Sequence, residues 1–363
     1  MSLEILIRVD SSSLIGSGHV VRCLNLAKRL RLRGCNVLFI TRENSSNCNF
    51  LFFESNFDVI VMAGTHTALR SDAKEDDEYK EWLGVSQEQD AQDTIESIGD
   101  KSFDWIIIDH YALDHKWQDL LSARAEKIMV IDDLANRVHN CDLLLDQNFF
   151  LNKSERYSAL VPSNCKCLLG PTHLLVSAQY DKYRSADKLR KGSISRVLVF
   201  FGSVDNAKQT ELAIAAISSL NKTGIVFDVI VGKSNTRAAS IKQLCDAVQN
   251  IRFHCQVDNM SEFIFKADFA LGAGGASSWE RAKLGLPSAV TVVANNQIEA
   301  TENAEKTGVI VNLGFFSKVS SQSYSNILGI MIESPERLRD MSDACIRLFN
   351  DSASSDVVDL IVN

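Results

Sequence analysis

Short apolar runs alternate with helix-patterned stretches along this chain, and the alternation occurs twice. In the first half the strand-like runs fall at residues 5–9, 37–41, 59–63, 103–109, 127–132, 142–146 and 166–169. The series resumes at 196–201, 227–231, 251–255, 269–271, 288–293 and 309–311. Strands separated by helices pair in parallel through crossovers, because only antiparallel neighbours can be joined by tight hairpins. The pattern therefore predicts an α/β protein with two Rossmann-like parallel-sheet domains facing across a cleft. They are expected over 1–180 and 181–363, joined by a polar, basic linker near 177–195. Helices from about residue 321 are left free to pack on either domain. A length of 363 residues fits two domains. Residues 65–92 are charged and poor in apolar side chains, which reads as a surface insertion or loop.

One unit of this pattern carries chemistry. Residues 5–30 read ILIRVDSSSLIGSGHVVRCLNLAKRL: a strand, a turn built on Gly16 and Gly18, then His19 opening a helix with Val20, Leu24, Ala27 and Leu30 on one face. Open α/β sheets bind ligands at the carboxyl edge, where this histidine is delivered. The helix start disfavours imidazolium, so the ring is expected to be neutral and able to accept a proton. The competing reading is a histidine that only hydrogen-bonds the turn.

The second half has its own glycine turn, Leu271-Gly-Ala-Gly-Gly-Ala-Ser-Ser-Trp-Glu-Arg281. Gly272, Gly274 and Gly275 let amides approach a ligand ahead of a helix expected to begin at Ser277 or Ser278, an arrangement suited to a diphosphate. Glu280, placed on the first turn of that helix, is a candidate acceptor for ribose hydroxyls; a helix-start charge is the plainer role. Asn295-Asn296-Gln297 follows the next strand and offers amides to a sugar, or helix caps. In Asp109-His110-Tyr111-Ala-Leu-Asp114, Tyr111 is the residue expected near the ligand, Asp114 a helix cap and His110 structural.

Several chemistries are excluded. Val21 stands where a dinucleotide fingerprint needs its last glycine or alanine. There is no triphosphatase phosphate loop and no nucleophile elbow. Nine cysteines include one close pair, Cys165 and Cys167, without the second pair a zinc site needs. Asp132-Asp133 has no histidine at ligand spacing, so no metal is expected. A net charge of −8 without a basic run argues against nucleic acid or a membrane surface as partner. No apolar run approaches a membrane span, and the scattered cysteines fit a reducing cytoplasm.

Four stretches, RVDSSSLIGSGHVVRCLNLA, IIIDHYALD, VIDDLANR with CDLLLDQN, and GAGGASSWERAKLGLP with the following NNQ, resemble the UDP-2,4-diacetamido-2,4,6-trideoxy-β-L-altropyranose hydrolase family of pseudaminic acid biosynthesis. The resemblance runs in order from residue 8 to about 310. It implies a GT-B fold related to MurG-type glycosyltransferases, UDP held mainly by the second domain, and hydrolysis at the anomeric carbon with inversion, without metal or cofactor. His19 then corresponds to the base that activates water. Tyr111 and Asn296 fall in motifs lining the sugar, and Gly274, Gly275, Ser277 and Glu280 in the UDP-binding run. Gly16, Gly18, Arg22, Gly202 and Gln297 complete the expected substrate-contacting set. Two segments depart from the family pattern: Gly202-Ser-Val-Asp-Asn-Ala207, which lacks a second glycine and the Ser-Asp-Pro, and Leu175-Val-Ser-Ala-Gln-Tyr180, which lacks the Arg-Pro-Glu-Phe ending. They bear on which sugar is accepted. A monomer or weak homodimer acting on a small UDP-sugar is expected. An inverting glycosyltransferase and a non-catalytic UDP-sugar binding protein are the alternatives.

Overall fold

The computed structural model describes residues 2–64, 79–184, 190, 192–220, 222, 224–350 and 356–363. They fall into two compact units: Met1–Gln147 with Asn152–Leu175 and Ser354–Asn363, and Asn148–Leu151 with Val176–Ala353. The first unit contains β1 (Glu4–Val9), α1 (Gly18–Leu32), β2 (Asn36–Arg42), α2 (Phe50–Glu54), β3 (Asp58–Met62), α3 (Lys80–Leu83), α4 (Gln87–Ile98), β4 (Phe103–Asp109), α5 (His115–Leu121), β5 (Ala125–Ile131), β6 (Leu143–Asp146) and β7 (Lys166–Leu169). The second contains α6 (Gln179–Arg184), β8 (Arg196–Phe200), α7 (Gln209–Leu220), β9 (Val226–Val231), α8 (Ala238–Asp246), β10 (Ile251–Cys255), α9 (Met260–Lys266), β11 (Phe269–Ala273), α10 (Ala276–Lys283), β12 (Ser288–Val292), α11 (Ile298–Lys306), β13 (Ile310–Phe315), α12 (Ser321–Glu333) and α13 (Pro335–Phe349). The last helix, α14 (Val357–Val362), returns to the first unit.

All thirteen strand-like runs are strands, and every ladder is parallel. The first sheet has the order β3-β2-β1-β4-β5-β6-β7 and the second β10-β9-β8-β11-β12-β13. Strand order reverses between β1 and β4 in one sheet and between β8 and β11 in the other. Connections from strands either side of such a reversal leave in opposite directions and open a crevice at the carboxyl edge. His19 and Asp109 belong to one reversal; Gly202 and the Gly274–Gly275 turn belong to the other.

Burial on both faces explains the uninterrupted apolar strands. In β1, Ile5, Ile7 and Val9 face a core shared with α1, while Leu6 faces the core that includes Trp117 and Leu121 of α5. Val357, Val358 and Ile361 of α14 complete the first of these cores, and the Ile361 carbonyl accepts from Trp105 Nε1 at 3.1 Å. The second unit buries Val197 and Val199 of β8 with Leu271 of β11, Ile214 of α7 and Leu328 of α12. Among the described residues, no helix is long and apolar enough to cross a membrane.

Two polar stretches behave differently from the expectation. Residues 65–78 lie outside the described residues, but 79–92 are not a surface loop: α3 and most of α4's first turns occupy them, and Asp90 is fully buried. Asp90 accepts from Arg8 Nε at 3.1 Å and Nη2 at 2.8 Å, from Arg42 Nη2 at 2.9 Å and from Trp117 Nε1 at 3.0 Å. Arg8 also grips Asp10 through 2.5 and 2.8 Å bonds, and Asp10 receives the Arg42 amide at 2.7 Å. One charge in 79–92, Asp90, is thus tied into the core, which composition alone cannot reveal. Likewise the 177–195 stretch is not simply a linker. It contributes α6, and Arg190 is buried, donating to the carbonyls of Ile264, Ala267 and Leu284 at the ends of α9 and α10. Its guanidinium satisfies helix carbonyls that have no intrahelical partner, and burial lowers its pKa to about 10.

Burial by itself would raise the Asp10 and Asp90 pKa values, yet Arg8, His110 and Arg42 outweigh it and both are lowered. Asp90→Ala leaves two buried guanidinium groups short of a partner and should cost about 3–5 kcal/mol in denaturant unfolding. The partly exposed Asp93→Ala should cost about 1 kcal/mol or less. Carboxylates with depressed folded pKa values stabilise at pH above their unfolded values. Unfolding free energy should therefore fall as the pH drops below about 4, and the slope should flatten in Asp90→Ala.

Candidate active site

The turn after β1 is held by its own backbone. Gly16 takes φ +78° and its amide donates to the Ser12 carbonyl at 2.9 Å, while Ser12 Oγ accepts from the amides of Leu14 and Ile15. That closure starts α1 at Gly18, so His19 is its second residue and lies buried at the sheet edge. Gly18 needs neither positive φ nor unusual space.

His19 meets Asp109, the last residue of the adjacent strand β4. The distance from Nδ1 to Asp109 Oδ1 is 2.6 Å, and Asp109 is fully buried. Burial pushes this carboxyl's pKa up, but Arg22 and His19 more than reverse the effect and it stays ionised. An ionised carboxylate can only accept, so Nδ1 carries a proton, which in the neutral tautomer puts the lone pair on Nε2. Among the described residues Nε2 has no hydrogen-bond partner.

Arg22, one turn further along α1, fixes the carboxylates. Its Nε and Nη2 donate to Asp109 Oδ2 and Oδ1 at 2.6 and 2.7 Å, and its Nη1 donates to Asp133 Oδ2 at 2.7 Å. All three nitrogens are thus engaged, which gives Arg22 a positioning role at the two carboxylates. The bidentate fork is geometry that lysine cannot supply. Asp133 also accepts the Tyr111 hydroxyl at 2.5 Å, and the Tyr111 ring stands edge-on to His19 at 4.6 Å between centroids. Burial, then Asp133, drives the Tyr111 pKa well above its ordinary value, so its hydroxyl keeps its proton. Asp132 turns the other way, to Tyr157 Oη at 3.1 Å and Arg137 Nη1 at 2.7 Å. The neighbouring carboxylates therefore diverge, and among the described residues no group of three or more His, Cys, Asp or Glu could hold a metal.

His110 is buried with Nε2 3.4 Å from Asp10, and Asp114 caps α5 by accepting from the Lys116 amide at 2.8 Å. Asp109 and Asp133 follow apolar strands (IIID, VIDD), the only signal in the sequence for their partnership with His19, Arg22 and Tyr111. The helix end is one influence on His19. The structure adds a negative charge at 2.6 Å and a guanidinium nitrogen at 3.2 Å from Nδ1.

In the second unit the expected residues gather around the end of β11. Gly275 takes φ +80° and precedes α10, which begins at Ala276, so Ser277 is in its first turn and Glu280 in its second. A Cβ on Gly274 would lie 2.8 Å from Gln297 Oε1, so glycine lets that side chain close over the turn. Gln297 Oε1 accepts from the Val293 amide at 3.0 Å, which anchors the turn holding Asn296. The capping alternative for Asn295 and Asn296 does not hold: Gln297 occupies the cap of α11, and no side-chain cap bond forms. Glu280 accepts from Tyr180 Oη at 2.8 Å and its pKa is raised by burial. Gly202, φ +99°, ends β8's carboxyl edge beside this turn's strand. Arg281 fills the space a side chain on Gly272 would need and donates to the Ala273 carbonyl at 2.9 Å. Burial lowers its pKa to about 10.

No family model matches the chain. It is 24% identical over 308 residues to the UDP-2,4-diacetamido-2,4,6-trideoxy-β-L-altropyranose hydrolase of Campylobacter jejuni, covering 84% of this chain and 97% of that protein. It is 20% identical to the spore coat polysaccharide biosynthesis protein SpsG of Bacillus subtilis, covering 85% and 83%. Acinetobacter baumannii MurG has a similar structure, with a TM-score of 0.60 at 14% identity, covering 99% of both chains. Arabidopsis thaliana UGT89C1 complexed with UDP gives 0.68 at 13%, covering 99% and 98%. The fold is that of the GT-B glycosyltransferases, and the sequence resembles the hydrolase.

The His19 tautomer is directly measurable. In nitrogen NMR of the neutral ring, Nδ1–H should dominate; a majority of Nε2–H would overturn the geometry above, and Asp109→Asn should shift the balance towards it.

Proposed function

We propose that this protein is a nucleotide-sugar hydrolase that cleaves the anomeric C–O bond of UDP-2,4-diacetamido-2,4,6-trideoxy-β-L-altropyranose or a close UDP-diacetamido sugar. The observation that carries the reading is the His19–Asp109 pair, which leaves an imidazole lone pair on Nε2. Nε2 takes a proton from water as its oxygen bonds to C1. The C1–O bond to the diphosphate breaks on the opposite face, UDP leaves with the electron pair, and the sugar is released inverted. Asp109 and Arg22 orient the ring, and Asp109 offsets the charge that forms on it. Tyr111, held by Asp133, sits beside the base.

The nucleotide is assigned to the second unit: its diphosphate to the amides at Gly275 and Ser277 with the α10 end behind them, the Gly274 amide being held by the Thr291 carbonyl at 3.1 Å, and the remaining contacts to Gly202, Gly274, Glu280, Asn296 and Gln297. Preformed dipoles there would stabilise charge as UDP departs. The resemblance supports this assignment, together with the Gly275 turn of φ +80° that opens α10. We assign no metal to the reaction.

The glycosyltransferase fold favours one rival, an inverting transferase whose base deprotonates an acceptor hydroxyl. Incubation with UDP-sugar alone separates the two: a hydrolase turns over fully, a transferase only slowly. His19→Asn should lower UDP release by about a hundredfold or more while the protein remains folded, and a chelator should leave the rate unchanged. Full UDP release by folded His19→Asn would refute the base assignment.

A further inference from the structure

One feature beside His19 has no role in the mechanism above. Tyr79 and Trp82, on and just before α3, close over the catalytic rings. Trp82 stacks on Tyr111 with 5.4 Å between centroids and 26° between planes, and meets His19 edge-on at 6.1 Å. Tyr79 is edge-on to Trp82 at 4.9 Å and to Tyr111 at 5.2 Å. Leu83 is buried in the apolar core and anchors the short helix. Trp82 itself stays half-buried, and its indole N–H meets no acceptor among the described residues. A half-covered indole beside His19, its N–H open to solvent, offers an apolar face and a donor to a ligand with both C–H faces and carbonyl oxygens.

We propose that Trp82, supported by Tyr79, is the platform that selects N-acylated sugars: its ring packs against the sugar's C–H face and its N–H donates to an acylamino carbonyl. This rests on the UDP-sugar reading and deepens it. A fully hydroxylated hexose offers the same position a strongly hydrated hydroxyl and no methyl group. It therefore loses the apolar contact and pays the cost of desolvating that hydroxyl.

The test is calorimetric titration of the full chain with UDP and with UDP-2,4-diacetamido-2,4,6-trideoxy-β-L-altropyranose, in a His19→Asn background so that ligand is not consumed. Trp82→Phe keeps a ring face and removes the donor; it should weaken the sugar nucleotide about three- to tenfold, the worth of one hydrogen bond. Trp82→Ala should weaken it by more than tenfold, because the apolar contact goes too. Neither change should alter the affinity for UDP. Unchanged sugar-nucleotide affinity in both variants, or a proportional loss of UDP affinity, overturns the proposal. Turnover of the ligand by the His19→Asn background would instead sink the assignment of the base, which the affinity comparison does not touch.

Discussion

Asp109 sits with no solvent contact at the end of a strand, where burial alone would drive it to accept a proton. It remains a carboxylate because Arg22 places a planar fork on both of its oxygens. The rest of the edge depends on that outcome. Were Asp109 neutral, it could donate to Nδ1, the other imidazole nitrogen would carry the proton, and the lone pair would face the protein interior. A guanidinium on α1 thus decides which way an imidazole on the same helix presents its base. The arrangement works because residues 19 and 22 are three apart on one helix and so share a face.

The same balance recurs deeper in the first unit, where Arg8 and Arg42 hold Asp10 and Asp90 ionised. Asp10 in turn receives the Arg42 amide and the Thr41 hydroxyl, tying the end of β2 to the end of β1. Arg8 and Asp10, which open the chain's most recognisable motif, are therefore framework. They fix the strand ends from which the His19 turn departs.

The thirteen strands and their parallel pairing were legible because a strand buried on both faces is largely apolar, as at Ile106 to Ile108 and, Arg8 apart, at Ile5 to Val9. His19 was legible because a strand, a turn and a helix leave it only one place to go. Buried charge was not. Asp90 and Arg190 lie in stretches whose composition is that of solvated surface, and a charge signals burial only through a partner distant in sequence: Arg8 is 82 positions from Asp90. For the same reason Asp109 is 90 positions from His19 and could not be paired with it by spacing. Trp82 was lost inside the charged segment around it, since a lone aromatic gives no period to read.

The two reversals of strand order occupy equivalent places in their sheets yet are furnished in opposite ways. At the first, polar side chains crowd together: an imidazole, two carboxylates, a guanidinium and a phenol, each immobilised by another. At the second, glycines stand where side chains would be. Gly274 and Gly275 let Gln297 lie against the turn while its Oε1 accepts from the Val293 amide, and Arg281 fills the space beneath Gly272. A proton acceptor must be tuned by neighbours, which demands a crowded, charged edge. A diphosphate, as proposed for the second, requires amides at a helix start such as that of α10. The reversal of strand order opens a crevice in either case, and the residues that follow each strand decide what occupies it.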